Sequence, residues 1–145
     1  MPRVSIVIAD RHPVVLYGLK SILSAENGFT VVASCDDGAN SIQAVRDLSP
    51  DIALVDMSMQ DPNGLEILAA VMSEDLCTRV VFLTAAVGDR ELVAAAAAGA
   101  YGVITKKATP EMLVEFLRQV ASRRVLPLAL LDADDLPLSF SPTED

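Results

Sequence analysis

Short runs of aliphatic and β-branched residues alternate along this chain with longer stretches whose apolar residues recur every three or four positions. Val4–Ala9 (VSIVIA) is a continuous apolar run, the pattern of a strand covered on both faces. Pro13–Ala25 follows with Val14, Leu16, Leu19, Ile22 and Leu23 near helical spacing, and Asn27-Gly28 closes it. The same alternation predicts strands over Phe29–Cys35, Ile52–Val55, Val80–Thr84 and Val103–Thr105. Between them it predicts helices over Asn40–Leu48, with Ile42, Val45 and Leu48 on one side, over Leu65–Met72, and over the alanine-rich Arg90–Ala98 stopped by Gly99. The last helix is the best signposted, with Thr109 as N-cap, Pro110 at the first helical position and Glu111 in the first turn. Its Leu113, Phe116, Leu117 and Val120 form one apolar stripe. Five strand–helix units in succession predict a doubly wound α/β fold, a five-stranded parallel sheet with five helices on its two faces.

Composition adds bounds. The 145 residues are enough for one domain. The net charge of −9 argues against a nucleic acid being bound by this chain alone, since phosphate contacts need clustered basic residues. No stretch reaches the length of a membrane span, and the first residues lack the layout of a signal peptide, so a cytoplasmic location is expected. The two cysteines, Cys35 and Cys77, lie in apolar surroundings and are expected to be buried and inert. The charge is uneven: the last twenty residues hold five acids and no Lys or Arg. They also hold Pro127, Pro137 and Pro142. Residues 1–124 are therefore read as the folded domain and 125–145 as an acidic, proline-containing linker, with one short helical turn over Leu130–Asp135.

In a sheet of this kind, function gathers at the carboxyl ends of the strands. Here Asp10, Asp56, Thr84 and Lys106 end four of the five strands and would project into one crevice. No glycine-rich loop follows the first strand, where Asp10-Arg11-His12-Pro13 stands, so a dinucleotide site is disfavoured. A strand-end carboxylate such as Asp56 can attack a phosphoryl donor to give an acyl phosphate. A lysine, and a divalent metal held by nearby carboxylates, would neutralise the transferred charge, and a threonine hydroxyl could bond the new phosphoryl oxygens.

The stretches IVIADRHPVVLYGLKSIL (6–23), PDIALVDMSMQDPNGLEIL (50–68), VVFLTA (80–85) and GAYGVITKKATPEML (99–113) resemble the receiver domain of bacterial two-component response regulators. The resemblance is strongest to the branch with a LuxR-type helix-turn-helix output. It implies a flavodoxin-like strand order 2-1-3-4-5, Asp56 as phosphoacceptor, Asp10 in the acidic pocket, Thr84 as switch hydroxyl and Lys106 as phosphoryl contact. It further implies Mg2+ held by Asp10, Asp56 and the Ser58 backbone carbonyl, a sensor histidine kinase as partner, and a homodimer. The domain would be a signalling switch rather than an enzyme, its phosphoryl transfer self-catalysed. DNA would be reached through an output domain missing from these residues.

The sequence departs from the family at several points. Arg11 stands where a second acid usually helps hold the metal, which implies weakened or absent Mg2+ binding. Either Arg11 pairs with Asp10 or Asp56, or Asp61 swings in as a substitute ligand. Val103 replaces the usual switch aromatic, and Gln60 replaces a proline that is shifted to Pro62. His12 is read as structural. These departures leave open an alternative, a phosphorylation-independent interaction module.

Overall fold

The computed structural model describes residues 3–85, 89–122, 129–131 and 138–139. Five strands, β1 (Val4–Ala9), β2 (Phe29–Cys35), β3 (Ile52–Asp56), β4 (Arg79–Thr84) and β5 (Gly102–Thr105), form a parallel sheet in the order β2-β1-β3-β4-β5. Five helices connect or follow them: α1 (Pro13–Ser24), α2 (Gly38–Leu48), α3 (Gly64–Ser73), α4 (Asp89–Ala98) and α5 (Pro110–Ser122). The expected fold and strand order are both present.

The sheet continues past β5. A short strand β6 (Ala129–Leu131) pairs parallel with β5, Val103 opposite Leu130, and β7 (Leu138–Ser139) pairs antiparallel with β6. The helical turn expected from Leu130 is therefore corrected: Leu130 and Leu131 are extended, hydrogen-bonded to the sheet edge that β5 would otherwise expose. The rest of that expected turn, 132–135, lies outside the described residues.

Alternation along each strand divides the core into two layers. Ile6 and Ile8 of β1 point to the side covered by α1 and α5, against Leu16, Leu19, Leu23, Phe116 and Leu117. Val7 and Ala9 point to the other side, against Val45, Ile67, Leu68 and Val71 of α2 and α3. Both faces of the central strands are buried, and full burial of each such side chain contributes about 1.5–3 kcal/mol. The helical stripes are narrower than the sequence implies. In α1, Leu16, Leu19 and Leu23 are buried but Val14 is exposed; in α2, Val45 is buried but Leu48 is exposed. Cys35 is buried, and burial pushes its thiol pKa up. Cys77 is exposed, contrary to expectation, because it follows α3 in a connecting segment.

Local chemistry sets the helix starts. Asp37 caps α2 by accepting from the Asn40 amide at 2.7 Å, and Asn63 and Glu66 form a reciprocal capping box on α3. Thr109 Oγ1 accepts from the Met112 amide at 3.2 Å, the cap expected for α5. Gly99 ends α4 at φ +99°, a backbone region that disfavours other residues. Gly38 has a different reason to be glycine: a Cβ there would overlap the Pro62 carbonyl oxygen. That contact and the bond from the Gly38 amide to Gln60 O, 3.1 Å, fix the loop after β3, in which the Asp61–Pro62 peptide is cis.

Candidate functional site

Two acids stand at the carboxyl ends of neighbouring strands, Asp10 just after β1 and Asp56 as the last residue of β3, and both side chains are buried. Each is held the same way. Asp10 Oδ1 accepts from the His12 backbone amide at 2.8 Å, and Asp56 Oδ1 accepts from the Ser58 amide at 3.0 Å. A carboxylate bonding an amide two residues on is a local turn motif that fixes the side-chain rotamer. Ser58 Oγ adds a second bond to Asp56 Oδ1 at 2.9 Å, and His12 Nδ1 lies 2.9 Å from Asp10 Oδ1.

Tying down Oδ1 leaves Oδ2 of each acid facing the same space. Lys106, directly after β5, enters it: Nζ lies 2.9 Å from Asp10 Oδ2 and 3.5 Å from Asp56 Oδ2. Its backbone is anchored by a 2.8 Å bond from Lys106 N to Thr84 O. Neither Oδ2 receives a directed hydrogen bond, so the lysine approaches as an ion-pair partner. Two buried carboxylates thus share one mostly buried ammonium. Charge removed from water carries a large desolvation penalty, which an incomplete ion pair offsets only in part. The pocket is chemically poised to receive a further cation or an electrophile.

Thr84 ends β4 and is half-buried, one residue past Leu83, which pairs with Asp56. Thr84, Asp10, Asp56 and Lys106 therefore share one end of the sheet, where the sequence places them. Arg11 does not join them. It is exposed, and among the described residues it makes no ion pair, so the acids are paired by Lys106 instead. Asp61 is likewise exposed and outside the group of potential metal donors, which comprises Asp10, His12 and Asp56. Val103 is buried within β5 between Phe82 of β4 and Leu130 of β6 in register. Next to the site, the Thr105 hydroxyl is buried without a hydrogen-bond partner. Sequence reasoning missed the clamp by Ser58 Oγ and the contact of His12 with Asp10. The signal was available, a polar residue two positions after each strand-end aspartate.

The family model for the response regulator receiver domain matches residues 6–118. The chain is similar to the nitrate/nitrite response regulator protein NarL of Escherichia coli K12, 32% identical over 118 residues, covering 81% of this chain and 55% of that protein. It is also similar to the probable transcriptional regulatory protein NarL of Mycobacterium tuberculosis H37Rv, 32% identical over 122 residues, 84% of this chain and 56% of that one. The chain thus spans about half the length of these curated relatives. Among solved structures, the signal receiver domain of NarL from M. tuberculosis superposes with a TM-score of 0.82 at 31% identity, covering 84% of this chain and 98% of that one. Among the described residues no helix is long and apolar enough to cross a membrane.

Proposed function

The chain belongs to the response regulator receiver domain family, and from that premise we propose that it accepts a phosphoryl group on Asp56 from a sensor histidine kinase. The observation that carries this reading is the buried Asp56 carboxylate, with Oδ1 tied to Ser58 and Oδ2 facing Lys106. Asp56 Oδ2 attacks phosphorus as the bond from phosphorus to the donor nitrogen breaks, and the departing imidazole takes a proton from solvent. Lys106 offers its ammonium to the incoming phosphoryl oxygens, and in this reading the Thr84 hydroxyl would bond one of them.

The family implies Mg2+, and the donors present fit a divalent cation. The ligand atoms of Asp10, His12 and Asp56 lie within 4.8 Å of one another, and both Oδ2 atoms lack a directed hydrogen bond. Asp10, Asp56 and the Ser58 carbonyl would hold it, where it would neutralise charge on the phosphoryl oxygens. Arg11 supplies no carboxylate and adds a positive charge nearby, so Mg2+ is held weakly in this reading.

Residues 1–124 act in this proposal as the regulatory half of a LuxR-type transcription regulator, with 125–145 leading to its DNA-directed half. The chain's span of about half its relatives supports this. Phosphorylation would alter self-association of the receiver. Acetyl phosphate with millimolar Mg2+ should add one phosphoryl group by intact mass, and Asp56→Asn should abolish the gain. No gain would overturn the proposal and favour a phosphorylation-independent interaction module, for which Arg11 in place of a second acid and the buried valine at position 103 speak.

A further inference from the structure

Strand β5 closes the five-stranded sheet on one side and has an edge that nothing in its own sequence protects. We infer that β6 is a removable cap on this edge, and that the edge, once free, pairs antiparallel with the same edge of a second copy of this chain. The inference supplies an edge for the self-association proposed above, and it stands without phosphorylation of Asp56.

Three observations carry it. First, β5 has the features of a strand that adds to another sheet. Its residues Gly102, Val103, Ile104 and Thr105 are buried, uncharged and free of proline, and they pair with β4 in unbroken register. Edge strands are ordinarily blunted by charge, proline or a bulge, since their unpaired amides and carbonyls are a template for another chain. The opposite edge strand, β2, is blunted in this way: it carries an extra residue, Val32, between the pairs Ile6–Val31 and Val7–Ala33. Second, among the described residues only β6 covers the β5 edge, through the pairs Gly102–Ala129, Val103–Leu130 and Ile104–Leu131. So short a pairing is a weak attachment by itself. It holds because six residues join it to α5, which gives it an effective concentration on the order of millimolar, above that of a second copy in dilute solution. Third, the new outer edge is poor at pairing. Strand β7 has two residues, Pro137 directly precedes it, and Asp132, Asp134 and Asp135 stand between it and β6 in the sequence. The acidic, proline-containing segment thus ends the sheet where β5 would extend it. Two copies related by a two-fold axis would join β5 to β5 in antiparallel sense, with the same residues serving on both sides.

The test compares the full chain with its Leu130→Pro/Leu131→Pro variant, both without a phosphoryl donor. Amides of successive strand residues face opposite neighbours, so two adjacent prolines remove one amide directed at β5 whichever way the ladder runs. The dissociation constant for self-association, from sedimentation equilibrium, should fall by at least about tenfold in the variant, because an edge that is mostly capped weakens pairing by the fraction of time it is free. Hydrogen exchange locates the contact. Alternate β5 amides should exchange faster in the dilute variant than in the parent and regain protection as the variant dimerises. In the parent itself, the β6 amides and the β5 amides facing them should open at one common rate, faster than the amides of β3. Protection of β6 should also fall as the parent is concentrated, since a second copy then displaces it. A variant that self-associates no more tightly than the parent overturns the inference, as does a dimer whose β5 amides stay unprotected. Should the prolines unfold the domain, the parent decides: β6 amides that open only together with those of β3, or whose protection ignores protein concentration, overturn the inference. Every arm uses unphosphorylated protein, so failure here leaves the acetyl phosphate experiment to report on Asp56 separately.

Discussion

Arg46 and Glu74, joining α2 to the residue after α3, form a two-pronged ion pair at 2.8 and 2.6 Å on the surface. Lys106 at the carboxyl end of the sheet meets two acids at 2.9 and 3.5 Å without a directed hydrogen bond to either. By geometry the surface pair is the better interaction. By consequence it is the lesser one. Both its partners are already solvated, so water replaces either at little loss. The acids beside Lys106 have no such replacement, because they are buried. What a charge pair contributes here is set by what surrounds it when one partner is removed, and function sits where that environment is least forgiving.

The largest expected effect follows from removing the shared cation. Lys106→Met keeps the aliphatic stem and leaves two buried carboxylates uncompensated. Stability in metal-free buffer should fall by about 3–5 kcal/mol, measured by urea unfolding. Addition of a divalent cation should restore part of it, since a ligand bound only by the folded state stabilises that state. A loss no greater than that from a surface substitution would mean that solvent reaches the acids after all.

Removing one acid instead should reverse the sign. Asp56→Asn preserves shape and can keep an oxygen facing Ser58, while Lys106 is left to a single partner, Asp10. A gain of about 1 kcal/mol in the same unfolding experiment is expected, the usual return when a site shaped for function is made inert. The two substitutions share a partner and should not be additive; the double variant should lie well above the sum of the singles.

A smaller gain should come from the uncharged neighbour. The Thr105 hydroxyl is buried with no partner, so Thr105→Val exchanges an unsatisfied polar group for a methyl of the same shape. The gain should be near 1 kcal/mol at most, by urea midpoint at constant slope. A loss would show that the hydroxyl is satisfied in solution.

The parallel core was legible because central strands buried on both faces read as unbroken apolar runs, as Ile52–Val55 and Val80–Thr84 do. Strands β6 and β7 were not. Three and two residues long, among prolines and acids, they carry no period, and their pairing depends on the edge that β5 offers. At the site, the strand-end positions of Asp10, Asp56, Thr84 and Lys106 could be read directly. That Lys106 rather than Arg11 would pair with the acids could not. Lys106 reaches Asp56 only because β5 lies two strands from β3 in the sheet, and strand order is a tertiary fact. Arg11, although adjacent in sequence to Asp10, leaves the chain just past the strand end and faces solvent.

The smallest effect is expected at the surface pair, and its pH dependence separates it from the pocket. The hydrogen bond from Arg46 holds the Glu74 carboxyl below the usual glutamate range, against an opposing effect of desolvation and with a lesser contribution from the Arg46 charge. A carboxyl whose folded pKa is lowered stabilises the fold above its unfolded pKa and loses that contribution as pH falls through the folded value. Glu74→Gln should therefore differ from the parent protein only above the glutamate range, and the two should converge in acid. Because both side chains are exposed, the difference at neutral pH should be close to the scatter of replicate melts. It should vanish near 1 M salt, where screening acts over about 3 Å. The buried cluster should behave otherwise, with the effect of Lys106→Met persisting at the same salt, since little electrolyte reaches it. Equal salt sensitivity of the two variants would show that burial is not what distinguishes these ion pairs.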